Sequence, residues 1–165
     1  MKLNAKELAV MTIFAALYAV GVIFLAPISF GIAQVRVADA MLPLSMIFGL
    51  PSAIGFGLGC IVSNVYGGLG VIDIVGGAAA NVVACTLAWY IGRRGHVARR
   101  LTGTVAIAIT VTLIVGGYLA LLFQVPLEIS FLGVFIGEAI AVIGIGFLLE
   151  EFIRRRFFGS YDREN

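Results

Sequence analysis

Long apolar stretches are the feature that most constrains how this chain can fold. Four of them are each long enough to cross a bilayer whose hydrocarbon core is roughly 30 Å thick. They are residues 8–25, 70–92, 101–123 and 129–149. Of the 165 residues, 61% are hydrophobic and 12% are charged, whereas ordinary soluble domains have about 25% charged residues. We therefore predict an all-α, polytopic membrane protein with no soluble domain.

The number of crossings depends on residues 37–66, which form either one long span or two short ones. The segment FGLPS (48–52) favours two, because proline disfavours helix at the residue before it. Ten of the 11 basic residues lie in three clusters, and such residues are enriched on cytoplasmic flanks. The clusters are Lys2 and Lys6; Arg93, Arg94, Arg99 and Arg100; and Arg154, Arg155, Arg156 and Arg163. All three face the cytoplasm only if an even number of spans separates the first two, so we predict a six-transmembrane-helix bundle with both termini cytoplasmic.

We expect one membrane domain over residues 1–165. Its helices are expected at roughly 6–25, 37–50, 51–66, 70–92, 101–123 and 129–156, with a mobile polar tail at 157–165. The stretch 8–25 is long for a signal peptide and lacks a convincing cleavage site, so we interpret it as a retained span. The sequence contains no nucleotide-binding loop, metal-ligand cluster or catalytic constellation, which argues against an enzyme.

With this topology, the polar residues that need an explanation gather in the outer half of the bundle. Arg36 is the only basic residue on that side, and Asn81 and Glu138 each lie roughly 14 Å from the outer helix ends, near the midplane. Ionisable groups at this depth are costly and usually line a cavity or pathway. The candidate substrate-binding residues are Gln34, Arg36, Asp39, Asn64, Tyr66, Asp73, Asn81 and Glu138.

Structural roles remain open for several of these residues. Arg36 and Asp39, three residues apart, can form a local ion pair, and Asp73 can stabilise the positive end of its helix dipole. Asparagines such as Asn64 can hydrogen bond between helices. Glu138 is the hardest to explain in this way, because a midplane carboxylate without a nearby basic residue on its own helix needs a ligand or a partner.

The first helix carries small residues at a four-residue spacing, which lets helix backbones approach closely. The candidate docking residues are Ala9, Ala15, Ala16 and Ala19. This face either packs inside the bundle or contacts another membrane protein. An outward polar site in a chain without an ATPase motif indicates a substrate-capturing subunit whose motor lies elsewhere.

Two segments resemble a known family. They are QVRVADAMLPLSMIFGLPSAIGFGLGCIVSN (34–64) and IDIVGGAAANVVACTLAWYIGRR (72–94). In these segments VRVADA precedes a leucine-proline pair, and FGLP forms a hinge. Their sequences resemble those of the QueT family of queuosine-precursor transporters. These are substrate-binding (S) components of energy-coupling factor (ECF) transporters.

The resemblance implies a pocket that opens to the outside, is closed by the loop between the first two helices, and belongs to a protein of the plasma membrane. It implies docking through the first helix onto a transmembrane coupling protein that is bound to two cytoplasmic ATPases. ATP would then be used by those partners, and this chain would need no cofactor, no metal and no nucleic acid. The implied small-molecule substrate is a 7-deazaguanine, such as the cyano or aminomethyl form, or queuine.

For such a ligand, we hypothesise that Glu138 accepts hydrogen bonds from the adjacent N1–H and amine donors of the guanine-like edge. Asn64 and Asn81 would supply amide contacts. Asp39 or Asp73 would meet the aminomethyl group. Whether Glu138 or Asp73 is the main residue that recognises the ligand stays open at this point.

Arg36 would orient Asp39, and an aromatic side chain, Tyr66 or Trp89, would stack on the ligand ring. Two alternative functions stay open. One is an S component for another vitamin or nucleobase-like compound, and the other is a structural or assembly protein of the membrane that binds no ligand.

Overall fold

The computed structural model describes residues 4–30, 34–94 and 96–158, and the regular structure in these ranges is helical. The elements are α1 (Ala5–Phe24), α2 (Ala26–Ser29), a 3-10 helix (Val37–Leu44), α3 (Ser45–Phe48), α4 (Leu50–Gly67), α5 (Val71–Gly92), α6 (Val97–Phe123) and α7 (Leu127–Phe158). Five of these helices, namely α1, α4, α5, α6 and α7, are long and apolar enough to cross a membrane. The predicted class, a helical membrane bundle, is confirmed at this level.

The helix α7 extends to Phe158, so the first two residues of the expected polar tail are helical. The rest of that tail, 159–165, lies outside the described residues. Within α7, the hydrogen bonding is π-helical over Ala139–Gly146 and again over Arg154–Phe158.

The segment expected as a second crossing is not one continuous α-helix. It consists of the eight-residue 3-10 helix and the four-residue α3. Pro43 lies inside the 3-10 helix, and in an α-helix its ring would clash with the carbonyl of Asp39, four residues earlier. At rises of about 2.0 and 1.5 Å per residue, the two pieces together span about 22 Å.

A glycine turn joins this short segment to α4. Gly49 has φ of +76°, a value that favours glycine, and its N–H donates to the Ser45 carbonyl at 2.8 Å. Pro51 stands in the first turn of α4, where its missing N–H costs no helical hydrogen bond. The FGLPS segment therefore ends one helix and begins the next, as its sequence predicts.

The helices α1 and α4 pack in parallel through glycines. A Cβ atom at Gly55 would lie 2.6 Å from the Met11 carbonyl oxygen, and one at Gly59 would lie 2.6 Å from the Ala15 carbonyl oxygen. Because the contacts advance along both helices together, α1 and α4 run in the same direction. The chain between them must return along the bundle, and Met46 accordingly lies beside Gly92, at the far end of α5.

A second close approach joins the chain around the 3-10 helix to α7. A Cβ at Gly137 would overlap the Gln34 carbonyl oxygen, and one at Gly146 would lie 2.8 Å from the Ala40 carbonyl oxygen. These two segments also run in parallel. The contact at Gly137 places the neighbouring Glu138 against the start of the 3-10 helix.

Buried ion pairs hold the end of the bundle at which α5 ends and α6 begins. Arg100 Nε of α6 lies 2.5 Å from Glu151 Oε1, and Arg154 Nε lies 2.7 Å from Glu150 Oε1. The Arg154 guanidinium also donates to the Met46 carbonyl at 3.3 Å. This cluster, which the sequence did not lead us to expect, ties α6, α7 and the short α3 together.

We expect Gly59→Val to destabilise the protein by about 1–3 kcal/mol, because the new side chain would push α1 away from α4. The matched control is Gly117→Val on α6, where no atom lies within 4 Å of an added Cβ. Thermal unfolding in detergent measures both. Equal losses of stability in the two variants would contradict the packing described.

Candidate functional site

Buried polar side chains from six segments of the chain converge at the end of the bundle where α1, α4 and α6 end. Each is at most 9% exposed. They are Tyr18, Arg36, Asp39, Asn64, Asp73, Tyr118 and Glu138. We call this set the polar cluster.

One part of the polar cluster is a pair of carboxyl groups. Asp39 and Glu138 are both buried, on segments whose backbones touch at Gly137 and Gly146, and the Tyr18 hydroxyl donates to Asp39 Oδ1 at 2.5 Å. The close packing at Gly137 explains how two carboxyl groups come together, because the helix backbone there touches the chain at Gln34. Tyr18 of α1 therefore holds Asp39 in place, while α7 carries Glu138.

A third carboxyl group, that of Asp73, lies at the start of α5. The Tyr118 hydroxyl donates to Asp73 Oδ1 at 2.8 Å, and the Asn64 amide donates to the Asp73 backbone carbonyl at 2.8 Å. Gly77 allows this arrangement, since a Cβ there would lie 2.7 Å from the Asn64 amide nitrogen. The helices α4, α5 and α6 therefore meet at Asp73.

Arg36 supplies the positive charge of the polar cluster. Its Nη1 lies 3.8 Å from Cys60 Sγ, and its guanidinium lies 5.6 Å from the centre of the Phe30 ring. Its backbone carbonyl accepts the Asp39 N–H at 2.8 Å. Among the described residues, no ion pair within 4.0 Å joins the Arg36 guanidinium to a carboxyl group.

Five of the residues predicted from the sequence each carry a buried polar atom without a hydrogen-bond partner among the described residues. These atoms are Arg36 Nε, Asn64 Oδ1, Asp73 Oδ2, Asn81 Nδ2 and Glu138 Oε2. Leaving a buried donor or acceptor unpaired costs roughly 1–3 kcal/mol each, so such groups in native proteins call for an explanation. Four of these atoms belong to the polar cluster, and the fifth, on Asn81, lies deeper on α5. Together, two donors and three acceptors suit a small polar molecule that presents both kinds of group.

The other predicted binding residues occupy different positions. Gln34 is buried, with its backbone carbonyl against α7. Asn81 is buried on α5, two turns deeper than Asp73. Tyr66 is 62% exposed and does not join the polar cluster. Trp89 lies near the other end of the bundle, where the Arg93 guanidinium stacks 4.2 Å from its ring centre.

The four candidate docking alanines divide between two faces of α1. Ala9 and Ala16 are exposed, Ala15 is half-buried with its carbonyl beside Gly59, and Ala19 is buried. Among the long apolar helices, α1 has the smallest buried share of its most apolar window, at 28%. Its outer face is therefore covered by nothing in the described part of the chain.

Tyr18 and Tyr118 belong to the polar cluster but were missed in the sequence. A signal for them was present, because a tyrosine buried within a membrane helix needs an acceptor for its hydroxyl group. Neither residue had a visible acceptor on its own helix, and the carboxyl groups of Asp39 and Asp73 meet this need from other segments. Within the described residues, no group of three or more His, Cys, Asp or Glu side chains is arranged to hold a metal ion.

The fold and the polar cluster define a multi-pass helical membrane protein with charged groups buried between its helices. A family model described as QueT transporter matches residues 8–155, nearly the whole chain. The chain therefore belongs to the QueT transporter family, which confirms the resemblance. Membership in a transporter family implies a small-molecule substrate and is consistent with a protein that is not an enzyme. No curated protein and no solved structure matches the chain significantly.

We expect Tyr18→Phe to lower the free energy of unfolding by about 1.5–3 kcal/mol, the range for a hydrogen bond to a charged group. The ring stays packed against Phe56, so only the hydroxyl is lost. Tyr90→Phe, at a tyrosine that is 63% exposed, is the matched control and should leave thermal stability in detergent unchanged. An unchanged melting temperature for Tyr18→Phe would show that this hydrogen bond does not stabilise the polar cluster.

Proposed function

We propose that this protein is the substrate-capture (S) subunit of an ATP-driven ECF-type importer and binds a queuosine precursor of the 7-deazaguanine type. Membership in the QueT transporter family supports the class. The observation that carries the ligand assignment is the set of five buried polar atoms without partners in the described chain. Burying such groups unpaired is unfavourable, and four of the five lie together in the polar cluster, whereas the other unpartnered atoms, Ser45 Oγ, Thr112 Oγ1 and Glu150 Oε2, belong to residues outside it.

The hydrogen-bonding pattern of a 7-deazaguanine fits these atoms. Its adjacent N1–H and amine donors match a carboxylate acceptor, for which Glu138 Oε2 is available. Its carbonyl oxygen matches the donor Asn81 Nδ2 or Arg36 Nε. An aminomethyl cation matches Asp73 Oδ2, which has no partner in the described chain, or the carboxyl group of Asp39. A site built this way rejects ligands that leave its polar groups unpaired.

The proposed topology has six crossings and cytoplasmic termini. The parallel packing of α1 and α4 supports it, since the segment Val37–Phe48 must then return between them. The polar cluster lies, in this topology, toward the outside of the plasma membrane. We propose that the chain between α1 and the 3-10 helix closes this side of the site, where the Phe30 ring centre lies 5.6 Å from the Arg36 guanidinium.

The exposed face of α1, with Ala9 and Ala16, is the proposed docking surface for a transmembrane coupling protein. That protein would be joined to two cytoplasmic ATPases, which would use ATP on behalf of the assembly. This chain would itself need no cofactor. Small residues on the exposed face suit close contact with another membrane helix.

The topology predicts how introduced cysteines react with a thiol reagent that cannot cross membranes. Gln124→Cys, at the exposed turn between α6 and α7, should be labelled in intact cells, whereas Arg94→Cys should be labelled only after permeabilisation. The native Cys60 and Cys85 are buried and leave a low background. Labelling of both positions from the same side would overturn the six-crossing topology.

The ligand assignment predicts saturable binding of aminomethyl- or cyano-7-deazaguanine to the purified protein. Glu138→Gln should weaken this binding at least tenfold, about 1.4 kcal/mol, because an amide cannot accept both donors of the guanine-like edge. Glu128→Gln, at an exposed carboxylate of the same helix, is the matched control and should bind normally. Isothermal titration calorimetry in detergent gives both affinities.

The same titration with riboflavin, thiamine and biotin separates the alternatives. Binding of one of these vitamins in place of a deazaguanine would keep the S-component class and refute the queuosine assignment. Binding of no compound, together with a harmless Glu138→Gln variant, would favour a structural or assembly protein.

A further inference from the structure

We propose that Arg36, positioned by the thiol of Cys60, donates to the carbonyl oxygen of the ligand and makes the site select ligands that carry this oxygen. This inference rests on the proposed function and concerns the same site. It gives a role to Cys60, which is not among the binding residues predicted from the sequence. It also favours Arg36 over Asn81 as the donor to the carbonyl oxygen.

Arg36 carries a buried charge that no carboxyl group neutralises by direct contact. The residue is 5% exposed, and among the described residues no carboxylate lies within 4.0 Å of its guanidinium. Its Nη1 lies 3.8 Å from Cys60 Sγ, and its Nε has no hydrogen-bond partner in the described chain. A guanidinium has five N–H donors and cannot be deprotonated in proteins. A charged group in this state within a membrane protein indicates a functional site.

The thiol of Cys60 holds the guanidinium without neutralising it. A cysteine thiol is ordinarily uncharged at neutral pH and is only a weak acceptor, whereas a carboxylate would form a strong charge-assisted pair with the same donors. Cys60 is fully buried, and a Cβ at Gly77 of α5 would lie 3.0 Å from its Sγ, so the thiol has little room to move. The charge of Arg36 therefore stays available to a ligand while its side chain is held in place.

Backbone packing places Arg36 close to Glu138. A Cβ at Gly137 would lie 3.4 Å from the Cα atom of Val35, and these two residues directly precede Glu138 and Arg36 in the chain. No ion pair within 4.0 Å joins the two side chains, and Glu138 Oε2, like Arg36 Nε, has no partner in the described chain. An unpaired acceptor and an unpaired donor thus lie on adjacent segments without contacting each other.

The edge of a 7-deazaguanine presents its groups in the matching order. The amine and the N1–H donors are neighbours, and the carbonyl oxygen is next to the N1–H. A ligand that donates from both groups to Glu138 therefore brings its carbonyl oxygen toward the adjacent segment, which carries Arg36. This proximity is the reason to choose Arg36 over Asn81, which lies on α5.

The test compares cyano-7-deazaguanine with its thiocarbonyl analogue, in which sulfur replaces the carbonyl oxygen while the amine and the N1–H remain. Isothermal titration calorimetry with the purified protein in detergent gives both affinities, and their ratio measures the selection for oxygen. We expect the unaltered protein to prefer the oxygen compound by at least about tenfold, because a hydrogen bond from a charged donor is weakened when the acceptor is sulfur.

Variants of Cys60 test whether it positions the guanidinium. In Cys60→Asp the new carboxylate should pair with Arg36 and bring the ratio of affinities close to one, and Cys60→Ala should lower the ratio because the guanidinium loses a contact. The matched control is Cys85→Ala, at a second buried cysteine whose Sγ lies 3.7 Å from the Leu42 carbonyl oxygen. It should keep the ratio of the unaltered protein. A purely structural role of Cys60 would weaken both ligands in parallel and leave the ratio unchanged.

Melting temperatures in detergent show which variants fold, and Cys60→Ala decides the role of Cys60 if Cys60→Asp does not fold. Equal affinities of the unaltered protein for the two compounds would overturn this inference and leave the proposed function standing. A ratio that stays unchanged in the folded Cys60 variants would also overturn it. Binding of neither cyano- nor aminomethyl-7-deazaguanine to the unaltered protein would overturn the proposed function and this inference with it.

Discussion

The close approach between the chain at residues 34–44 and α7 is the constraint on which the rest of the site depends. Gly137 and Gly146 let the two backbones touch at the carbonyls of Gln34 and Ala40. Side chains larger than hydrogen at these glycines would separate the segments and take Glu138 away from Asp39. The glycines are thus required by packing, and their consequence is a pair of acids in the interior of a membrane protein.

The two ends of the bundle differ in whether their buried charged groups form ion pairs. At one end, Arg100 and Arg154 form ion pairs with Glu150 and Glu151, the guanidinium of Arg154 also donates to the Met46 carbonyl, and Glu150 Oε2 has no hydrogen-bond partner in the described chain. At the other end, the polar cluster leaves acceptors and donors without partners in the described chain. Pairing is what a structural role requires, because an unpaired buried charge is strongly unfavourable. Among the described residues, the ion pairs within 4.0 Å all lie at the first end, and under the proposed function the unpaired charges of the polar cluster are left for the ligand.

Much of this arrangement could be predicted from the sequence, because hydropathy and charge act locally. The long spans and the turn at Gly49 follow from apolar length and proline chemistry. The burial of most of the polar candidates follows from the cost of polar groups in a bilayer. The sequence could not predict the 3-10 geometry around Pro43 or the contacts of Tyr18 and Tyr118. These features depend on which helices become neighbours in the folded bundle. Tyr66 is a residue whose role the sequence suggested too readily. Its position in the chain suggested stacking on a ligand, but the rotation of the helix sets the direction of its side chain. In the structure the Tyr66 side chain is 62% exposed.

Tyr18 connects the polar cluster to the helix proposed to contact a partner protein. Its hydroxyl holds Asp39 from the buried face of α1, while Ala9 and Ala16 lie on the exposed face of the same helix. A rigid helix moves both faces together, so a partner that tilts α1 also displaces the hydroxyl group from Asp39. Under the proposed function, docking and ligand retention would then share one element, and release of the ligand would need no separate signal across the bundle.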